Sequence, residues 1–266
     1  MTLERIDVEP DVIQLRASTW RGRATGYDVS AYSLCGVLVD TAFPGVRPEI
    51  LDAARTLAPR GVVVTHWHED HAGNVPALVA AGLSMAMHVH CEAALRRRPP
   101  IRAYRHAVWG RTPRLTAPLM QFDTAPLQLI DTPGHTTDHI VAWDPERRIM
   151  ASGDLFLGVK VRVAHSHESP ARLVRSLRTV VALEPRLLLD AHRGPVFNAT
   201  SALRSKIAWL DETIGRIATL AVHGVNASEI RRQVLGSEPF VGVISTGEYS
   251  KESFVHAVLR DRIEMP

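Results

Sequence analysis

Two cysteines in 266 residues, Cys35 and Cys91, exclude a disulfide framework and a thiolate metal centre, since neither sits in a ligand-type spacing. Both are expected as small buried apolar residues. No apolar run approaches the length of a membrane span, and the opening Met1-Thr2-Leu3-Glu4-Arg5-Ile6-Asp7 carries acids instead of an apolar signal core, so the expected compartment is the cytoplasm. Neither sign of charge predominates, with 31 Lys and Arg against 28 Asp and Glu. A formal net charge of +3 argues for neither a nucleic-acid nor a membrane partner. Internal repeats and low-complexity tracts are missing, and 45% hydrophobic residues is enough for a sizeable core.

Histidine is what the chain has in quantity, 13 in all, and its placement is uneven. His66-Trp67-His68-Glu69-Asp70-His71 follows the apolar run Gly61-Val62-Val63-Val64-Thr65 directly. In an extended segment alternate side chains share a face, so His66 and His68 can hold one ion together. Ala72 to Gly82 reads as a helix, which makes the chain turn at Asp70 and His71 and aims these two at a second ion. Packing gives no reason for four polar side chains at a strand end.

The remaining order is β, helix, β. Residues 12 to 45 read as strands, Val12 to Ala17 and Tyr32 to Val39, separated by the loop Arg21 to Gly26. Ile50, Leu51, Ala54 and Leu57 have helical spacing, and Met85 to His90 reads as a strand. From Arg96 to Arg114 there are seven arginines and no acid, an insertion or lid that is either a solvated excursion or a cationic wall for an anionic substrate. Pro126 to Asp131 leads into Thr132-Pro133-Gly134-His135, where Pro and Gly tighten the turn. Ile140 to Trp143 and Arg148 to Ser152 flank a hairpin signal and end in Gly153-Asp154. Ser169-Pro170 starts a helix, and Arg186 to Leu189 is a strand that presents His192. Apolar steps from Leu203 to Ala221, then Ser228 to Leu235 and Ser250 to Ile263, make the tail helical.

Every candidate ligand thus ends a strand. His66, His68, Asp70, His71, His135, Asp154 and His192 form an all-nitrogen-and-oxygen set suited to a pair of divalent ions. His66, His68 and His135 would hold one, Asp70, His71 and His192 the other, with Asp154 bridging. Two such ions share a hydroxide that is nucleophilic near neutral pH.

This series resembles the metallo-β-lactamase superfamily over roughly residues 30 to 196: H-x-H-x-D-H at His66 to His71, Gly134-His135, Gly153-Asp154 and His192. The resemblance implies an α/β, four-layer αββα sandwich with a dinuclear, usually zinc, site at one edge; iron or manganese would suit the same ligands. It implies a catalytic domain over residues 1–200 and a helical C-terminal extension over 201–266. Asp40 and His139 would support the site without binding metal. The pair Asp70-His71 with Asp154 departs from antibiotic-cleaving enzymes that place cysteine in the second site, and looks more like the glyoxalase II and lactonase branch. Ala191 before His192 and Arg193-Gly194-Pro195 after it depart from the family's Gly-His-Gly and leave that loop's geometry open.

The expected activity is a metal-dependent hydrolase acting on a small ester, thioester or lactone, with Asp70 as the catalytic carboxylate that orients the nucleophile. The alternatives are a phosphodiesterase or nuclease, with Lys160 and Arg162 helping to bind phosphate, and a binding or regulatory protein on the same scaffold. The expected partner is a small molecule, not a membrane or nucleic acid, and a homo-oligomer is open. Specificity would reside in loops 21 to 28 and 96 to 123. His165 and His167 are either substrate contacts or loop positions.

Overall fold

The structure, a computed structural model, describes residues 1–19 and 28–264. The expected loop from Arg21 to Gly26 lies outside the described residues. The chain divides into two compact units, the first made of 1–131, 138–154 and 185–197, the second of 132–137, 155–184 and 198–266.

The first unit opens with a six-stranded sheet in sequence order: β1 (Thr2–Glu9), β2 (Val12–Ser18), β3 (Val29–Leu34), β4 (Val37–Val39), β5 (Val62–Val64) and β6 (Met85–Met87). Up to β4 the neighbours are antiparallel; β4, β5 and β6 run parallel. Parallel neighbours need crossovers, and α1 (Arg47–Leu57) and α2 (Val75–Ala80) provide them. Two further helices follow, α3 (Val89–Arg97) and α4 (Ala103–Trp109). The second sheet contains β7 (Gln128–Asp131), β8 (Ile140–Asp144), β9 (Ile149–Gly153), β10 (Leu187–Asp190) and β11 (Gly194–Phe197), in the order β11-β10-β9-β8-β7.

The uninterrupted valines of β5 have a layered explanation. Val62 and Val64 pack on the outer face with Ile50, Leu78 and Leu95 from the helices, whereas Val63 points inward to the core shared with β8, β9 and β10. A strand covered on both faces has no solvated side and so no alternation. The inner core joins Leu34, Val37 and Val39 of the first sheet to Ile140, Ile149, Leu187 and Leu189 of the second.

Several boundaries differ from the sequence reading. The single strand expected from Tyr32 to Val39 is the antiparallel pair β3 and β4, reversed at Cys35 and Gly36, whose φ values of 54° and 69° make the tight turn. The helix expected from Ala72 starts at Val75, because residues 70 to 74 are used in a turn. His71 and Ala72 both donate backbone N–H to the His68 carbonyl, at 3.0 and 2.8 Å. The strand expected to reach His90 ends at Met87, and His88 caps α3 by accepting the His90 N–H on Nδ1 at 3.1 Å. Strands β1 and β11 carry too little apolar alternation to be read in advance; β1 has Glu4, Arg5 and Asp7 on a half-exposed strand. Cys91 is buried as expected, but Cys35 is only half-buried, its thiol set 3.3 Å from Asp144 Oδ2 and 3.0 Å from the Arg147 guanidinium.

The second unit is built from α5 (Pro170–Val181), α6 (Ala199–Val222), α7 (Ala227–Leu235), α8 (Phe240–Ile244) and α9 (Lys251–Glu264), with a two-residue antiparallel bridge between Ala164–His165 and Tyr249–Ser250. Ser169 caps α5 by accepting the Arg172 N–H at 3.2 Å. From α9, Asp261 accepts the Ser169 hydroxyl and the Ala171 N–H, each at 2.8 Å, which locks the start of α5 to the end of the chain. His165 stacks on Tyr249, ring centroids 4.5 Å apart, and on His167 at 5.3 Å. No helix among the described residues is long and apolar enough to cross a membrane.

Truncating Leu189 to alanine should open a cavity between the two sheets and lower stability by about 2–5 kcal/mol. Denaturant midpoints compared with wild type measure this, and an unchanged midpoint would contradict the inter-sheet core.

Candidate metal centre

The centre begins at the end of β4. Asp40 adopts a left-handed backbone, φ 63°, and its N–H still donates to Val63 O at 2.8 Å. This conformation turns its carboxylate across the end of β5. There Oδ1 accepts the Thr65 N–H at 2.8 Å and Oδ2 accepts from His71 Nδ1, also at 2.8 Å. A histidine held by a carboxylate on Nδ1 has a fixed tautomer and presents Nε2. The turn carrying His71 is fastened by Thr41, whose N–H and hydroxyl donate to the His71 carbonyl at 2.7 and 2.8 Å. Gly73 is obligatory in this turn, since a Cβ there would lie 2.3 Å from the Glu69 carbonyl oxygen.

From the second sheet, β9 delivers Asp154 through Gly153, φ 47°, whose missing Cβ would stand 2.8 Å from both His139 Nε2 and Thr65 Oγ1. The close approach lets Asp154 donate its N–H to His139 Nε2 at 3.1 Å, so His139 holds the backbone of the carboxylate that follows the strand. Asp190, ending β10, accepts the N–H groups of His192 and Arg193 at 3.0 and 2.8 Å, a side-chain turn formed where the family's pattern has Gly-His-Gly. His192 Nδ1 is 2.8 Å from the Asp28 carbonyl oxygen, leaving Nε2 to face the acids.

Two groups of donors result. His66, His68 and Asp154 offer atoms within 4.8 Å of one another, and so do Asp70, His71 and His192. Asp154 Oδ1 stands 3.1 Å from His71 Nε2 and 3.4 Å from His192 Nε2, so this carboxylate reaches both groups. His66 and His68 meet at 3.0 Å through Nε2 and Nδ1. His135 belongs to the second unit. Its turn is pinned to α5: the Gly134 carbonyl accepts the Ser169 N–H at 2.8 Å, and the Pro133 carbonyl accepts the Ser176 hydroxyl at 2.7 Å. Its Nδ1 lies 3.4 Å from Glu168 Oε1.

The electrostatics of the first unit favour a cation. Burial pushes His71 towards the neutral form, but the carboxylates of Asp154, Asp40 and Asp70 outweigh it and hold its pKa well above the usual imidazole value. His192 likewise rises against burial to about 9, through Asp154 and Asp70. Asp70 stays ionised: burial works against the charge, and His71 and His192 lower its pKa below the ordinary carboxylate value. Three buried carboxylates around two imidazoles, with Nδ1 of each imidazole already engaged, make a donor set that fits divalent metal ions.

Sequence reading missed three contributors. Glu69, within the histidine motif, is 3% exposed and clamped by Arg105 of α4 through two bonds of 2.5 and 2.7 Å. Asp138 Oδ2 accepts the Trp67 N–H at 2.9 Å. Asp190 shapes the His192 turn. Glu69 and Asp190 lie beside ligand positions, but only their partners 36 and two or three residues away reveal their use.

The family model for the metallo-beta-lactamase superfamily matches residues 35–208, and the chain belongs to that superfamily. It is similar to the lactamase-like protein nscB of Arthroderma benhamiae, 30% identical over 146 residues, which are 55% of this chain and 30% of that one. The lactamase-like protein aptB of Emericella nidulans is 31% identical over 176 residues, 64% of this chain and 52% of the relative. The beta-lactamase-like protein 2 homolog of Caenorhabditis elegans is 29% identical over 167 residues, covering 61% and 53%. The chain therefore spans from under a third to about half of these relatives. A metallo-beta-lactamase family protein from Thermus thermophilus superposes with a TM-score of 0.68 at 18% identity, over 97% of this chain and 95% of that one. A metallo-beta-lactamase from Erythrobacter litoralis gives 0.56 at 22% identity, over 79% and 96%. These likenesses show the metallo-beta-lactamase fold expected from the sequence.

Because His71 and His192 must lose protons to bind metal, affinity should rise with pH up to their raised pKa values and level off above them. Calorimetry in buffers of different ionisation enthalpy should detect protons released on metal binding near neutral pH. Asp40→Asn should weaken metal binding by about 10–100-fold, since His71 loses its anionic partner, while Asp40→Glu restores part of it.

Proposed function

We propose that the chain is a dinuclear metal-dependent hydrolase of a small ester, thioester or lactone. The supporting observation is the shared carboxylate: Asp154 Oδ1 lies within 3.4 Å of His71 and His192 and also belongs to the group around His66 and His68. In this reading His135 completes the set of His66 and His68, as its place in the motif series implies, and Asp70, His71 and His192 form the other. Imidazole and carboxylate donors favour zinc, and iron or manganese suit the same set.

Bound divalent ions supply Lewis acidity towards a carbonyl oxygen and make water acidic enough to react near neutral pH. The residues of the chain do the rest. Asp70, ionised and 3.4 Å from His192 Nε2, orients the attacking water and takes its proton. The water oxygen bonds to the carbonyl carbon, the bond to the alcohol or thiol leaving group breaks, and the proton passes from Asp70 to that group. Asp70 is a weak base because His71 and His192 stabilise its charge, which suits orientation more than deep proton abstraction. Glu69 is engaged with Arg105 and has no part in the transfer. The relatives named lactamase-like are consistent with acyl chemistry at a carbonyl.

The test is turnover of a thioester, a lactone and a phosphodiester, with metal content measured by elemental analysis before and after chelation. Two ions per chain and chelator-sensitive acyl hydrolysis are expected. His68→Ala and Asp154→Ala should each lower kcat by at least about 100-fold at saturating metal. Wild-type turnover in either variant, or phosphodiester turnover alone, would overturn the proposal.

A further inference from the structure

A cavity of about 300 Å³ opens behind the histidine motif, wholly within the first unit, between the C-terminal end of α3, the start of α4 and the segment 111–113. Trp67 and Glu69, which flank the candidate ligand His68, form its inner wall. Leu95, Ile101 and Pro113 give it apolar sides, and Arg98 and Arg111 supply two cations.

The charge of this cavity is one-sided. Glu69 is the acid on its wall, and it is already neutralised by the bidentate Arg105, itself 5% exposed. Arg98 and Arg111 have no carboxylate partner among the described residues, in contrast to Arg96, which pairs with Glu92 at 2.8 Å. Two polar atoms of the lining residues, His106 Nδ1 and Thr112 Oγ1, are buried with no hydrogen-bond partner among the described residues.

Trp67 connects the cavity to the metal centre. Its ring stands 4.8 Å from the His68 ring, edge to face, and the Arg105 guanidinium lies 5.9 Å from its centroid. The Trp67 backbone N–H donates to Asp138 Oδ2, which sets where the indole leaves the chain, lining the cavity on one side and meeting His68 on the other.

We propose that this cavity is a carboxylate subsite, which holds the anionic end of an acyl substrate while its short chain runs past Trp67 to the carbonyl beside His68. Arginine donors match a planar carboxylate, and the apolar sides fit a methylene chain better than a fully hydrated phosphate. The preferred substrate class is the half-ester or half-thioester of a short dicarboxylic acid. This substrate role rests on the hydrolase reading; the affinity of the cavity for a carboxylate does not.

The experiment has a binding arm and a kinetic arm, both on the metal-loaded full chain. Glutarate titrated into the protein should change tryptophan fluorescence saturably, and Trp67→Phe should remove the signal. Arg98→Gln and Arg111→Gln should each weaken binding by about tenfold. In the kinetic arm, the kcat/KM ratio of a glutaryl thioester to the butyryl thioester of the same thiol should fall by a similar factor in each variant. Equal affinity in wild type and Arg111→Gln, as expected of glutarate held at the metal ions, would overturn the subsite. Tighter binding of inorganic phosphate than of glutarate would overturn its carboxylate preference. Arginine-dependent glutarate binding with no turnover of any ester would uphold the subsite and remove the hydrolase reading, whereas turnover with no such binding would do the reverse.

Discussion

The carboxylate of Asp40 is the point on which the metal edge depends. It ties three segments together: its own strand end, the Thr65 backbone at the end of β5 and the imidazole of His71. A buried carboxylate is stable only with its oxygens satisfied, and here Thr65 and His71 satisfy both. The left-handed backbone at Asp40 is strained for a residue with a side chain. It persists because parallel pairing of β4 and β5 on one side and the Thr41–His71 contacts on the other leave the chain no other path.

Charge concentration follows from this geometry. Asp40, Asp154 and Asp70 stand 2.8, 3.1 and 3.9 Å from the two ring nitrogens of a single histidine. Such a cluster is destabilised by its own repulsion in a low-dielectric interior and is relieved by protons or by metal cations. The same residues therefore set both the pH response and the metal affinity of the protein. The outward side of the motif has the opposite character. Arg105 neutralises Glu69, and the surplus arginines leave a positive cavity one indole away from an acidic centre. Under the proposed reading, a substrate carrying one anionic group would be held away from the acids by that arrangement, with its carbonyl at the ligand histidines.

The arginine-rich stretch from Arg96 to Arg114 illustrates how uneven such a segment is once folded. Arg105 is buried in an ion pair, Arg96 is matched within its own helix, and Arg98 and Arg111 line the cavity. A charge count treats the seven arginines as equivalent; burial and partner geometry separate those in ion pairs from those that line the cavity.

By itself the sequence determined the family, the strand-end placement of the candidate ligands and most of the helices, because these are local. The periodicity of α5 and α6, the apolar run of β5 and the spacing of His66, His68, Asp70 and His71 are each written in consecutive residues. The supporting roles of Asp40 and His139 were legible only through the family resemblance, since their partners lie 31 and 15 residues away. What tertiary structure alone decided is who meets whom: the Glu69–Arg105 pair across 36 residues, the His192 bond to the Asp28 carbonyl across 164, and the reach of Asp154 to both donor groups. Hydrogen bonds and ion pairs act over a few ångströms in space and carry no trace in the sequence between their partners. For His192 and Asp154, the closing of two sheets on one core is what brings those atoms within range.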